Sequence, residues 1–243
     1  MRHLLTFIIA FSICLVATAK PTRANLGGSP PKDTKGSLPY DAEVEYIGTV
    51  NQPSSIRSYI DTGVVLQEAD GYLHQFKVRW RATNQGAWGW FAYNLTGGTW
   101  LGSSASSDSG IYFGSYTSRY RLNPVPADYA DYELDSSTGL SVDGTLIHSA
   151  VVAPTTAAPN PRGRTLPFFL FYDIRFDGQY SRVANCNYAS VKIEVDGILV
   201  RDLVPVRITN EQGRREGAMY DRVNGKIYRN VGNGAFEIGP DKN

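Results

Sequence analysis

The chain has 243 residues, with 24 Lys and Arg against 23 Asp and Glu, a net charge of +1, and 42% hydrophobic residues. Charge this evenly matched leaves no basic stripe to follow a phosphate backbone, which argues against nucleic acid as a partner. Of its two cysteines, Cys14 falls in an N-terminal leader, so Cys186 has no partner for a disulfide and no Cys-based metal cluster is possible.

Arg2 and His3 precede an apolar run from Leu4 to Val16 that ends in Ala17-Thr18-Ala19. A basic start, an apolar stretch short for a bilayer and a small-x-small site read as a signal peptide over residues 1–19; the competing reading is an uncleaved anchor. Phe11-Ser12-Ile13 before Cys14 is a poor match to a lipoprotein site. The chain is therefore expected to be exported, with no membrane span after cleavage. Losing Arg2 leaves 23 cations against 23 acids in the mature chain.

Residues 20–39, with Pro21, Pro30, Pro31, Pro39, Gly27, Gly28 and Gly36, bury too little to order themselves and read as a flexible linker. A single domain is expected over residues 40–243, large enough to bury roughly 70% of its unfolded surface and hold together by packing alone. Strand signals then recur: Val44 to Ile47, Ser58 to Thr62, and Tyr72 to Ala82, where Phe76, Val78, Trp80 and Ala82 alternate with Gln75, Lys77, Arg79 and Arg81. Ala87 to Tyr93, Ile111 to Tyr116, Arg119 to Leu122, Asp131 to Leu134, Thr145 to Val152 and Thr165 to Arg175 follow. Ala153 to Arg164 reads as a surface loop.

In the C-terminal stretch, Ala189, Val191, Ile193 and Val195 face one way, and Tyr188, Ser190, Lys192 and Glu194 the other. Asp196-Gly197 suits a tight hairpin turn into a strand from Ile198 to Ile208. Pro205 cannot donate to a ladder and should mark that strand's end or an edge position. Lys226 to Asn230 is expected to pair with Ala235 to Ile238 across a turn at Asn233-Gly234. Met219, Tyr220, Ile227, Tyr228 and Phe236 would then close one end of the fold. No stretch keeps a helical period for three turns, so the spacing predicts an all-β, two-sheet antiparallel sandwich.

Val44-Glu45-Tyr46-Ile47, Ser58 to Gly63, Leu199 to Arg207, Gly217 to Asp221, Val223 to Tyr228 and Gly232 to Pro240 together form an ordered pattern. It resembles the laminin-G-like, concanavalin A-like jelly-roll domains of exported and surface proteins of bacteria and of some phage proteins. The pattern brackets nearly the whole mature domain, while Tyr93 to Arg164 carries nothing that matches. The resemblance implies two curved antiparallel sheets with the first and last strands adjacent. Its structural signature here is Tyr59, Asp61, Gly63, Arg201, Asp202, Pro205, Tyr220, Asp221, Gly225 and Tyr228.

Hydrolases on this jelly roll use a Glu-x-Asp-x-(x)-Glu strand, with acid and nucleophile on one sheet face. Glu133-Leu134-Asp135 and Glu194-Val195-Asp196 begin that pattern, but neither has the second Glu, so no catalytic residue is assigned. His74 and His148 have no second ligand at i+2 or i+4 for zinc, and neither a nucleophile elbow nor a phosphate loop occurs. Cys186 reads as a small buried residue. Calcium is the one ion considered, on Asp108, Asp131 and Asp135 among the acids of turn-rich segments that also hold Asp128 and Asp143. Each of these acids could equally be a solvated turn former.

Trp88, Trp90, Trp100, Tyr112, Tyr116 and Asn94 are the candidate carbohydrate contacts, since flat sugar faces stack on aromatic rings while hydroxyls need planar polar groups. For any one of these rings, the alternative is the sandwich core. The function expected is a non-catalytic exported recognition or adhesion module for a glycan or a surface protein. A divergent glycoside hydrolase or lyase, or a structural surface subunit, are the alternatives.

Overall fold

A computed structural model describes residues 38–49, 57–66, 74–84, 92–94, 100–102, 111–114, 119–122, 128–149, 167–174, 181–183 and 185–243. The leader, most of the linker, Trp88, Trp90, Tyr116 and Asp108 lie outside them. The strands in chain order are β1 (Ala42–Glu43), β2 (Ile47–Gly48), β3 (Ile60–Val65), β4 (Phe76–Asn84), β5 (Ala92–Asn94), β6 (Trp100–Gly102), β7 (Ile111–Gly114) and β8 (Arg119–Leu122). Then come β9 (Ala130–Asp135), β10 (Gly139–Val142), β11 (Thr145–His148), β12 (Pro167–Leu170), β13 (Tyr172–Ile174) and β14 (Ser181–Val183). The C-terminal part adds β15 (Cys186–Val195), β16 (Ile198–Thr209), β17 (Arg215–Asp221), β18 (Ile227–Tyr228) and β19 (Glu237–Ile238). Among the described residues there is no helix. The protein is an all-β sandwich.

The large sheet runs β11-β10-β9-β4-β15-β16-β17-β18, with β1 beside β16, β2 beside β15 and β19 beside β2. The smaller sheets are β12-β3, β14-β13-β5-β6 and β7-β8, and within them β5 and β13 run parallel. The last strand meets the second: Ile47 of β2 pairs with Ile238 of β19, and Val44 bridges to Asp241.

Alternation in β4 is as the sequence predicts. Phe76, Val78, Trp80 and Ala82 are buried, and they meet Ile60, Val64, Leu66, Phe168 and Leu170 from β3, β12 and their flanks in one core. Trp80 stacks on its cross-strand partner Tyr132 with ring centroids 5.3 Å apart. Between β12 and β13, Phe171 takes a φ of 67° and is fully buried against Tyr188 and Phe236. A left-handed backbone at such a residue costs about 1–2 kcal/mol. Burying a Phe returns roughly 1.5–3 kcal/mol, so packing wins.

Four sequence expectations change. In β15 the register shifts between Tyr188 and Ser190, so Tyr188 turns into the core with no exposed surface and Ala189 leaves it; a bulge breaks the period of two. Pro205 stands mid-strand in β16, paired with Met219, and its carbonyl accepts from Val44 N. At that point the neighbour changes from β15, paired up to Leu203, to β1, paired from Val206, so the missing N–H falls on the changeover side. The tail does not form the expected hairpin: β18 pairs with β17, and β19 pairs with β2. Its loop instead clips onto the chain before β3. Val231 N and Gly234 N donate to Tyr59 O and Arg57 O, while Asn230 Oδ1 and Asn233 Oδ1 accept from Tyr59 N and Arg57 N. Finally, Met219 and Phe236 belong to the main core, whereas Tyr220 and Ile227 sit in a second cluster on the opposite face.

The signature residues of the C-terminal half converge on Arg201 and Asp221. Asp221 is fully buried and accepts from the amides of Asp202 and Val223, both at 3.0 Å, with Arg201 Nε 3.6 Å from its other oxygen. Arg201 also donates to Thr62 O at 2.9 Å and lies over the Tyr228 ring, tying β16 to β3 and β18. Asp61 accepts from Gly63 N at 2.8 Å, and Gly63 and Gly225 adopt positive φ. Tyr59 stacks on Tyr172. These residues are structural.

Candidate functional site

Because side chains alternate across a strand, burying Val78 and Trp80 sends Lys77, Arg79 and Arg81 to the other face of the large sheet. Register then sets each opposite an acid. Lys77 pairs with Asp135, Arg79 with Glu133, and Arg81 with Asp131 on β9. On the other side of β4, Arg81, Arg79 and Lys77 oppose Ser190, Lys192 and Glu194 of β15.

The side chains join accordingly. Lys77 Nζ is 2.9 Å from Asp135, Arg81 Nη1 is 3.0 Å from Asp131, and Lys192 Nζ is 3.7 Å from Asp202. Arg79 is shared, with Nε donating to Glu133 at 2.6 Å and Nη1 to Glu194 at 2.7 Å. Its guanidinium is pushed above its ordinary value, first by the bond to Glu133. Burial would raise the Asp135 carboxyl, but the Ser137 hydroxyl, Lys77 and the Ser137 amide outweigh it and hold it at about 2.

A groove of about 390 Å³ opens on this face, lined by Arg79, Asp131, Glu133, Ser141, Gly144, Ser190 and Lys192, with Trp80 and Tyr132 beneath. That volume is within the ordinary range for small-ligand sites, about 300–1,000 Å³. The Asp143-Gly144 turn, with φ of 47° and 74°, flanks it and is fastened by Asp143 Oδ1 accepting from Asp131 N at 2.9 Å. Beyond Asp131, Arg81 lies over the ring of Tyr129, whose centroid is 6.4 Å from that of Tyr46. Burial, then the neighbouring Tyr46, pushes the Tyr129 hydroxyl well above its ordinary value. The groove therefore offers planar polar side chains and hydroxyls together, with the Tyr129 ring beyond it under Arg81.

The sequence candidates are distributed differently. Asn94 of β5 pairs with Trp100 of β6, and Tyr112 of β7 pairs with Arg121 of β8, all in the smaller sheets. Trp88, Trp90 and Tyr116 lie outside the described residues. Of the calcium candidates, Asp131 and Asp135 are each engaged by a cation, and Asp108 lies outside the described residues. Among the described residues no group of three or more His, Cys, Asp or Glu is placed to hold a metal. His74 Nδ1 is 2.8 Å from Asp196, away from the groove. Sequence reading missed Tyr129, although Tyr129, Asp131 and Glu133 share one parity and that signal was available.

Glu133 and Glu194 share this face on either side of β4, and because one guanidinium binds both, their bonded oxygens lie within about 8 Å of each other. Retaining hydrolysis needs carboxyl groups about 5 Å apart, and inverting hydrolysis about 6.5–9.5 Å. Here Arg79 occupies the space between the two. Comparison of the chain with family models, curated proteins and solved structures gives no significant match.

Proposed function

We propose that the protein is a non-catalytic, exported recognition module of concanavalin A-like type that binds carbohydrate on the outer face of its large sheet. The groove over β9, β4 and β15 carries this reading. Guanidinium, carboxylate and hydroxyl groups are held there by cross-strand pairs and stand ready to bond sugar hydroxyls. Ordered donors and acceptors lose little freedom on binding, which favours recognition. The shared guanidinium between Glu133 and Glu194 supports binding over hydrolysis, because it engages both carboxylates that a glycosidase would need.

Labelled protein on a glycan array, with and without EDTA, tests this alongside an assay for new reducing ends. Retention of a glycan without new reducing ends is expected. New reducing ends would make the protein a hydrolase. Failure to retain any glycan, together with self-association on a sizing column, would make it an assembly subunit.

A further inference from the structure

We infer that the Arg79–Glu133 pair sets the specificity of the groove, reading adjacent hydroxyls of an uncharged glycan, while Glu194 keeps Arg79 from acting as an anion trap. This rests on the glycan reading of the groove. Arg79 and Glu133 line it, whereas Glu194 does not. The bonds from Nε to Glu133 and from Nη1 to Glu194 fix the plane of the fork and leave further N–H donors on the guanidinium. Glu133 keeps its second oxygen as an acceptor. One donor beside one acceptor, both held in place, matches two neighbouring hydroxyls that accept and donate in turn.

Charge decides the ligand class. Lys77, Arg79, Arg81 and Lys192 are paired with Asp131, Glu133, Asp135, Glu194 and Asp202, so the paired residues of this face carry one carboxylate in excess. An incoming anion within a Debye length, about 8 Å at physiological salt, meets cations already matched by carboxylates. Arg79 has two carboxylates on it, and Lys192 shares Asp202. An uncharged polyol gives up no ion pairing to bind here. A uronate or sulfate gains nothing from these cations.

The test is affinity electrophoresis at low and high salt against xylan, laminarin and mannan as uncharged probes, and polygalacturonate and heparin as anionic ones. The wild-type protein should retain at least one uncharged glycan with no salt dependence. Arg79→Lys keeps the charge but loses the fork, and should weaken that binding about tenfold, or roughly 1.4 kcal/mol. Glu194→Gln keeps an amide oxygen to accept from Nη1 but removes the charge, and should create salt-sensitive binding of polygalacturonate. If Arg79→Lys does not fold, Glu194→Gln decides alone. Unchanged affinity in a folded Arg79→Lys, no gain of anion binding in Glu194→Gln, or a wild-type preference for polygalacturonate would overturn the inference while leaving a glycan site. If the wild type retains none of the probes, the glycan reading fails and this inference falls with it.

Discussion

The outer face of the large sheet has two halves that solve the same problem in opposite ways. Over β9, β4 and β15 its residues are charged and stand in the open. Over β16 and β17 the same parity brings out Val204, Val206, Ile208, Ala218 and Tyr220, all buried, with Tyr40 and Ile227 packed on them. The covering there is a strap. Tyr40 lies 5.0 Å from Tyr220, Glu43 receives bonds from Arg222 and Tyr40, and Asp41 receives one from Thr209. An antiparallel sheet can leave one face wet, and this one does so only where its side chains are ionised. The strap sits where they are not, which separates the half built for stability from the half free to bind.

Breaking the sealed half should have the largest effect. Val206→Asp puts an unpaired carboxylate at a position with no exposed surface, which costs several kcal/mol; urea unfolding should show loss of the cooperative transition or a much lower midpoint. Asp221→Ala comes next, at about 3–5 kcal/mol, because it strands Arg201 and two amides. Its readout is the same midpoint.

In each half one group ties stability to one end of the pH scale. Asp135 titrates at about 2 in the folded chain against about 3.9 unfolded. Its contribution of about 2 kcal/mol is therefore full above pH ~4 and lost as pH falls through ~2. Burial, then the bond to Glu43, raises the Tyr40 hydroxyl to about 12. Its neutral form is favoured in the folded state, so the strap's contribution is full below pH ~10 and lost as pH rises through ~12. Thermal melts of wild type and Tyr40→Phe across both ranges would show it: the variant should have a shallower alkaline slope, the remainder coming from the buried hydroxyls of Tyr129, Tyr132 and Tyr188, and keep the acid one. The smallest effect is expected on the open half, where Glu133→Gln should change stability by under about 1 kcal/mol. A larger loss there would mean that the charged ladder is part of the scaffold.

Periodicity exposed half of this contrast in advance. The alternation from Phe76 to Ala82 gave the buried and cationic faces of β4, and Asp196-Gly197 marked the hairpin that follows, with φ of 51° and 76°. Register was out of reach, because only pairing decides that Arg79 meets Glu133 and Glu194. The bulge at Ala189 was invisible, since Tyr188 and Ala189 both suit a core face and only pairing decides which of them enters it. β10 escaped for a similar reason. It begins at Gly139 with a φ of 114°, a glycine whose absent side chain makes room for His148 O, and the sequence marks Asp143 only as one acid of a turn-rich segment. The aromatic candidates followed from density in sequence, whereas the residues that line the groove follow from strand parity and register.

The meeting of β2 with β19, and of Glu43 O with Lys242 N, has a kinetic consequence. The earliest strands have no permanent neighbour on that side until the final residues have been released and found them, a closure spanning nearly the whole domain. Contacts so distant in sequence make folding slow.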